Sequence, residues 1–301
     1  MDLGQLEAFL EVARHGRFHK AAEELYLTQP SLSARIQKLE IDLNVVLFHR
    51  TARGVRLTEP GRLLLPYAQR VLTAVSQARE TLHAAEQLKG GSLRIGTART
   101  VGAYVLPSIL EEFHKNHPMV DANIRTGRSS EVLQMVVNEE VAIGLARNLR
   151  HPDILTLPLY EEEVVLVTHP DHMYANNEHV SIFDIAREPL ILYDRESSFF
   201  QLIDSVCREA SIVPNVSMEL DSVEATKRMI ERGLGISLLP IHSISLEVNE
   251  NRLAKVKIKH DQEVTVPTAI LIRDSAPYSP AVLAFIDILR DIYNTNIKLN
   301  G

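Results

Sequence analysis

The 301-residue sequence contains one cysteine, Cys207, and no tryptophan. A lone cysteine cannot form an internal disulfide, which excludes a disulfide-stabilised secreted scaffold and is typical of a cytoplasmic protein. Long apolar runs are also missing, since stretches such as 236–241 are far too short to cross a bilayer. Residues 1–5 lack the basic and apolar segments of a secretory signal. We therefore expect a cytoplasmic protein that does not span a membrane.

The composition is that of a globular protein, with 45% hydrophobic and 24% charged residues. A chain of this length rarely forms one hydrophobic core, so two or more domains are expected. The net charge of −7 is unevenly distributed: residues 1–91 hold 12 Lys and Arg against 10 Asp and Glu, and residues 92–301 hold 20 against 29. This weak asymmetry fits a protein that contacts phosphate groups only at its N-terminal end.

Apolar residues at three- and four-residue spacing predict three helices near the N-terminus, at residues 3–15, 18–25 and 28–43. Thr28 is a suitable N-cap, and the small residues at 21–22 allow the close helix approach of a helix-turn-helix. The third helix leaves polar side chains for solvent or for the major groove of DNA: Gln29, Ser31, Ser33, Arg35 and Lys38. Any three-helix bundle has a polar face, so this segment alone also fits a bundle that binds no DNA.

A basic hairpin is predicted directly after these helices. Two short β-prone stretches within 45–58 flank a turn at 51–54, and Arg50, Arg53 and Arg56 lie at its tip without an acidic neighbour. A basic hairpin that follows a helix-turn-helix is typical of a wing that meets phosphates or the minor groove. The alternative is a charged turn that only faces solvent.

A long helix is predicted from residue 59 to about residue 88, and Gly90 and Gly91 are the expected domain boundary. Its small apolar residues follow a heptad pattern that we expect to pack against the same helix of a second subunit, because nothing in its own chain is predicted to cover them. A homodimer would also supply the second half-site that helix-turn-helix proteins need. The stripe consists of Leu64, Ala68, Val71, Val75, Ala78, Leu82 and Ala85.

The N-terminal residues resemble those of the LysR-type transcriptional regulators. The matching series extends without gaps over about sixty residues, through 21–22, 28–33, 47–48, 57–58 and Gly61. The resemblance implies that the third helix reads the major groove and the wing the minor groove of double-stranded promoter DNA with an interrupted dyad. It assigns DNA contacts to Gln29, Pro30, Ser31, Ser33, Arg50 and Arg53. The chain departs from the family at Ala34, where an arginine is common, and Arg35 follows it.

From Ser92 onward the pattern changes to alternating strands and helices, which predicts parallel sheets covered by helices in two lobes with a cleft between them. The resemblance extends more loosely over this part and implies a fold similar to periplasmic binding proteins, with chain crossings near Glu162 and Pro267. The prediction is thus an α/β protein with a winged helix-turn-helix at 1–58, a linker and dimerisation helix at 59–91, and an effector-binding domain at 92–301. Its lobe I would comprise 92–162 and 267–301, and its lobe II 163–266.

Ligands of such sheets bind beyond the carboxyl ends of strands, near helix N-termini. Three arginines fall at three predicted strand ends and favour an anionic ligand, such as a carboxylate or phosphate metabolite. Serine and threonine at these places are also common N-caps, and any one arginine can instead face solvent. The candidate effector residues are Thr97, Arg99, Thr100, Arg128, Ser129, Arg147, Ser197, Phe199 and Asp221.

An enzyme is the main alternative class, but motifs for a nucleophile elbow, a zinc protease, a P-loop or a dinucleotide site are missing from the sequence. The histidine pairs 114/117 and 169/172 adjoin prolines and turns, and Cys207 fits a packed position. No catalytic residue, metal or cofactor is therefore predicted. A transport solute-binding protein would lack the helix-turn-helix. The resemblance implies a homodimer or homotetramer, while the effector, the target genes and the direction of regulation are left open.

Overall fold

A computed structural model of the chain describes residues 1–51, 54–86, 91–195, 197–259, 263–274 and 278–295. The chain divides into two compact units. The N-terminal unit comprises Met1–Gly90 with Asn138–Glu140, and the C-terminal unit comprises Gly91–Val137 with Val141–Gly301.

The three predicted helices of the N-terminal unit are confirmed: α1 spans Leu3–His15, α2 Phe18–Glu24 and α3 Gln29–Leu43. Local signals set their ends. Asp2 and Gln5 form a capping box at the start of α1, and Gly16 ends that helix with a left-handed φ of 63°. The three helices bury one core, whose fully buried members include Phe9, Leu32 and Leu39.

A short antiparallel hairpin follows, with β1 at Phe48–Thr51 and β2 at Gly54–Leu57, paired from Phe48 and Leu57 to Thr51 and Gly54. The carboxylate of Glu40 on α3 accepts a 2.7 Å hydrogen bond from the backbone N–H of Leu47. The backbone N–H of Val55 donates to the Gly16 carbonyl at 2.8 Å. The hairpin is therefore fastened at both strands to the helix-turn-helix. Helix α4 then spans Glu59–Glu86.

The prediction that α4 has nothing to cover it within its own chain is wrong for its first half. Leu64 and Ala68, two members of the predicted stripe, pack into the core of the N-terminal unit. The apolar side chains that remain exposed there are Leu63, Tyr67 and Val71, at 66%, 60% and 41% exposure. The reason is that α4 begins beside the hairpin and α1, so one face closes the local core. The side chains of Leu82 and Ala85 and the whole of Gly90 lie outside the described part of the chain.

The C-terminal unit is built on an eight-stranded sheet, counted over the described residues, in the order β4-β3-β5-β12-β6-β11-β7, with β10 also paired to β6. A separate parallel pair joins β8 and β9. The strands are β3 Gly91–Ala98, β4 Val120–Gly127, β5 Ile143–Arg147, β6 Ile154–Thr168, β7 His179–Ser181, β8 Leu190–Tyr193, β9 Val216–Leu220, β10 Ser237–Pro240, β11 Ala254–Lys259 and β12 Thr265–Arg273.

The helices of this unit cover the sheet and connect its strands. They are α5 Arg99–Tyr104, α6 Leu106–Asn116, α7 Ser129–Val137, α8 Ile182–Ile185, α9 Ser198–Glu209, α10 Val223–Glu231, α11 Ser245–Asn249 and α12 Pro280–Tyr293, with a 3-10 helix at Ile241–Ile244. No helix in the described part of the chain is long and apolar enough to cross a membrane. Among the same residues, no group of three His, Cys, Asp or Glu side chains is placed to hold a metal ion.

The predicted parallel sheet is correct only for part of the unit. Strands β3, β4 and β5 are parallel, but β12 is antiparallel to both β5 and β6, and β10 and β11 are antiparallel to β6. The physical cause is the double crossing of the chain. The 15-residue strand β6 pairs with β12 along 154–163 and with β10 and β11 along 164–168, so the two crossing strands lie side by side in opposite directions.

The two largest hydrophobic clusters of this unit lie in different parts of the chain. One core is formed by residues 93–159 and 270–289 and includes Phe113 and Phe285, whose rings meet edge to face at 5.4 Å. The other is formed by residues 164–264. We refer to these parts as lobe I and lobe II. The continuous strand β6 belongs to both.

Candidate functional site

The N-terminal end of α3 presents polar groups to the outside of the N-terminal unit. Thr28 accepts a hydrogen bond from the backbone N–H of Ser31 and so fixes the first turn. Gln29, Pro30 and Ser31 are exposed, and Ser33 is half-buried one turn further on. Lys38 is exposed near the middle of the helix. The first three residues of the helix therefore face solvent, which suits insertion into a groove.

Arg35 has a different environment from the other predicted DNA contacts. Its guanidinium is half-buried and donates to the backbone carbonyl of Gly4 at the start of α1, at 3.5 Å. Ala34, where the family often has an arginine, is exposed. The Arg35 guanidinium thus lies against the start of α1. The structure does not group this side chain with Gln29 and Ser31.

The hairpin carries a pair of basic side chains that the predicted site omitted. His49 and Arg56 are directly opposite each other in the strand register, and both are exposed. Arg50 lies in β1 opposite Val55, but its side chain is outside the described residues, as is the whole of Arg53. The alternation of strand side chains was the signal that could have identified the 49/56 pair.

The C-terminal unit contains a cavity between the ends of β3, β4 and β5 in lobe I and the first turns of α9 and α10 in lobe II. The volume of the cavity, including the part that is open to solvent, is about 770 Å³. Seven of the nine predicted effector residues line it: Arg99, Thr100, Arg128, Ser129, Arg147, Ser197 and Phe199. Lining residues that sequence reasoning missed include Glu162, Tyr193, Leu202, Val223, Pro240, Val266 and Thr268.

Two predicted effector residues are not part of the cavity wall. Thr97 is fully buried, and its hydroxyl donates to the Ala98 carbonyl at 3.1 Å. Successive strand residues face opposite sides of a sheet, and the Thr97 side chain packs beside Gly102 of α5. Asp221 is exposed in the connection between β9 and α10 and lies outside the cavity lining. Ser197 lines the cavity but also serves as the N-cap of α9, accepting from the backbone N–H of Phe200 at 3.0 Å.

The charges of the cavity are partly balanced by lobe II. Arg128 donates through Nη2 to Asp194 Oδ1 at 3.1 Å, and both side chains are largely buried. Burial lowers the pKa of the Arg147 guanidinium, and the backbone N–H of Arg147 donates to the Ser129 hydroxyl at 3.4 Å. Burial raises the pKa of Tyr193, while the nearby Arg99 opposes that change.

One carboxylate faces the same space. Glu162 in β6 is 8% exposed, and its Oε1 accepts from the backbone N–H of His242 at 2.8 Å. The same oxygen is 2.9 Å from Nδ1 of the His242 ring. Among the described residues, the cavity therefore combines three arginines with one lining carboxylate and an apolar wall from lobe II. This arrangement suits a small ligand that has an anionic group and an apolar body.

Two family models match the chain. The model described as LysR substrate binding domain matches residues 86–293. The model described as Bacterial regulatory helix-turn-helix protein, lysR family, matches residues 3–62. The chain belongs to the LysR family.

Similar proteins include the HTH-type transcriptional regulator GltR of Bacillus subtilis strain 168, which is 32% identical over 292 residues, covering 97% of each chain. Full-length CbnR complexed with its target DNA has a TM-score of 0.76 at 23% identity, covering 97% of this chain and 99% of that one. The effector binding domain of QuiR in complex with shikimate has a TM-score of 0.62 at 22% identity, covering 70% of this chain and all of that one. The two solved structures show a shared fold.

These comparisons confirm the sequence prediction of a LysR-type protein with a helix-turn-helix head and an effector-binding domain. This LysR-family chain is a DNA-binding transcriptional regulator, and the enzyme alternative is set aside because its relatives are named as regulators.

Proposed function

We propose that this LysR-family regulator binds promoter DNA with an interrupted dyad as a homo-oligomer, and that a small anionic metabolite in the cavity modulates it. The observation that supports the effector class is the position of Arg99, Arg128 and Arg147 around one cavity, each at the end of a neighbouring lobe I strand. Helix N-termini that start beside these strands also favour an anion.

The DNA contacts proposed are Gln29, Pro30, Ser31 and Ser33 in the major groove, with Lys38, Arg50 and Arg53 on phosphates or in the minor groove. The support is the exposure of the first turn of α3 and the attachment of the hairpin to α1 and α3. For Arg35 we propose a positioning role, because its guanidinium is engaged by the Gly4 carbonyl.

We propose that the oligomer forms through α4. The proposed domains are the winged helix-turn-helix at 1–58, the linker and dimerisation helix at 59–91 and the effector-binding domain at 92–301. Leu63, Tyr67 and Val71 are exposed and follow one another at four-residue spacing along one face of α4. A continuous exposed apolar face of this kind supports packing against a helix of a second subunit. Whether two or four chains assemble decides how many half-sites one complex spans. We further propose a cytoplasmic location, since the protein has to reach the DNA that it binds.

DNA binding is tested by fluorescence anisotropy with the promoter region beside the protein's own gene and a scrambled duplex, at 50 and 200 mM salt. We expect selective binding that weakens steeply with salt, because phosphate contacts release counterions. Gln29→Ala should lower affinity for the promoter duplex more than for the scrambled one. The matched control is Gln134→Ala, which removes an exposed glutamine from a helix of the C-terminal unit. Equal loss in both variants would contradict the placement of α3 in the groove.

The effector class is tested by thermal stabilisation with mono- and dicarboxylates, phosphate esters and shikimate. A ligand at about 100 times its dissociation constant stabilises the folded state by about 2.7 kcal/mol. Arg147→Gln should remove this stabilisation, whereas Arg187→Gln, an exposed arginine on lobe II, should keep it. Stabilisation only by neutral or cationic compounds would contradict an anionic effector.

A further inference from the structure

The ion pair between Arg128 and Asp194 joins the two lobes at the cavity. Arg128 lies at the end of β4 in lobe I, and Asp194 follows β8 in lobe II. Their side chains are 29% and 20% exposed, so the pair is mostly removed from water. An arginine that was predicted to meet a ligand anion already meets a carboxylate supplied by the protein itself.

Both partners are held in place by their backbones. The N–H of Arg128 donates to Glu131 Oε2 at 2.6 Å, and its carbonyl accepts from Val132 in the first turn of α7 at 2.9 Å. The N–H of Asp194 donates to the Leu220 carbonyl at 3.1 Å, and its carbonyl accepts from Ser197 at 3.0 Å. The contact is thus between two positions that their backbones fix: Arg128 in the cavity lining, and Asp194 directly after the lining residue Tyr193.

We propose that Asp194 is an internal competitor for the effector: its carboxylate occupies the Arg128 position that the ligand's anionic group takes on binding. This proposal rests on the anionic effector proposed above and names the residue that limits its affinity. A carboxylate side chain and a ligand carboxylate or phosphate are all anions whose oxygens accept from a guanidinium, so the ligand competes with Asp194 for the N–H groups of Arg128. The ligand therefore displaces Asp194 and separates this contact between the lobes.

The rest of the lobe interface is expected to survive that displacement. Away from the cavity, the hydroxyl of Tyr104 in lobe I donates to a carboxylate oxygen of Glu224 in lobe II. The ammonium group of Lys227 lies 4.9 Å from the centre of the Tyr104 ring. The continuous strand β6 also passes through both lobes. Loss of the Asp194 charge should consequently leave the C-terminal unit folded.

The test is a titration of the full chain with succinate and, separately, with inorganic phosphate, followed by isothermal calorimetry at low ionic strength. Asp194→Asn keeps the size of the side chain but removes its charge. We expect it to bind at least one of the two anions about ten-fold more tightly than the unaltered chain, the gain for an internal contact worth about 1.4 kcal/mol. The succinate and phosphate arms distinguish a carboxylate from a phosphate effector.

Two further variants separate direct competition from a general charge effect. Asp194→Asn combined with Arg128→Gln should lose the gain, because Arg128 is the group that is released. Glu219→Gln removes one negative charge from an exposed pair with Arg195 on the same lobe and should leave the affinity unchanged. Circular dichroism melting of each variant verifies that it is folded.

The outcomes divide cleanly. Tighter binding by Asp194→Asn that requires Arg128 supports the proposal. Anion binding by the unaltered chain that Asp194→Asn leaves unchanged or weakens would overturn it while leaving the anionic effector in place. The same gain from Glu219→Gln would also overturn it. If neither anion binds the unaltered chain or Asp194→Asn while DNA binding persists, this proposal is overturned, and the thermal stabilisation series described above decides the anionic effector separately.

Discussion

The hydroxyl of Thr58 connects the segment between α3 and β1 to the start of α4, and its removal should lower the stability of the N-terminal unit by an amount that follows from its two hydrogen bonds. Thr58 is 6% exposed. Its Oγ1 donates to the Val46 carbonyl at 2.7 Å and accepts from the Gly61 backbone N–H at 3.0 Å. Because α4 begins at Glu59, the second bond is an N-cap bond to the third residue of the helix.

Thr58→Val keeps the shape of the side chain and removes both bonds. An ordinary hydrogen bond contributes about 1 kcal/mol net, and an N-cap is worth about 1 kcal/mol. The expected loss is therefore about 2 kcal/mol of the free energy of unfolding. Thr58→Ser is the control, since it retains the hydroxyl and loses one methyl group, worth about 0.8 kcal/mol.

Native-state hydrogen exchange followed by mass spectrometry measures this loss without requiring one unfolding transition for the whole chain. Core peptides of α1 and α3 that exchange by unfolding of the N-terminal unit should exchange about 30-fold faster in Thr58→Val, as 2 kcal/mol requires. Peptides from β12 and α12 in the C-terminal unit serve as the internal reference. Equal exchange in Thr58→Val and Thr58→Ser would refute the assignment of this energy to the hydroxyl.

Three further changes test other contacts. Gly61→Ala should lower the thermal midpoint of the N-terminal unit by circular dichroism, since an added Cβ would lie 2.3 Å from the Leu47 carbonyl and overpacking costs about 1–3 kcal/mol; an unchanged midpoint would contradict this. Lys227→Met should lower the free energy of unfolding in urea by up to about 3–5 kcal/mol, because Glu247, 2.8 Å from the Lys227 ammonium group, would keep a buried charge with Arg252 as its remaining partner at 3.7 Å; an unchanged free energy of unfolding would refute this. Burial raises the pKa of Tyr104 above its ordinary value of 10.0. The protonated hydroxyl therefore contributes its full share to the free energy of unfolding below pH 10, and this share is lost as the pH rises further. Stability measured between pH 8 and 11 should fall less steeply above pH 10 in Tyr104→Phe, and an identical slope would refute the shift.

The helices of the N-terminal unit could be predicted because their signals are local. The cap at Thr28, the left-handed Gly16 and the three- and four-residue spacing of buried positions all lie within one or two turns of the helix ends that they determine. The packing of α4 could not be predicted in the same way. Whether Leu64 and Ala68 face a second subunit or their own core depends on where the hairpin and α1 lie, which no heptad pattern contains.

The sheet of the C-terminal unit shows the corresponding limit. Strand β6 begins at Ile154 and continues through Pro158 and the polar run 161–163, which interrupt the apolar pattern by which a strand is recognised in a sequence. Its pairing with β12 joins residues more than a hundred positions apart. Such a register is determined by tertiary packing, so alternation of strands and helices indicated parallel pairing where the crossing strands are antiparallel.

Some residues of the cavity could be located from local sequence, whereas others are brought there by tertiary packing. This explains why the site is less positively charged than the three arginines predicted. The rule that ligands bind at strand ends located Arg99, Arg128 and Arg147 because each follows its own strand directly. The carboxylates that oppose them come from elsewhere: Asp194 from the end of a lobe II strand and Glu162 from the middle of β6. A count of arginines along the chain therefore overstates the positive charge that a ligand meets. Affinity in such a site depends on how easily an anion replaces an internal carboxylate, which is the quantity that Asp194→Asn changes.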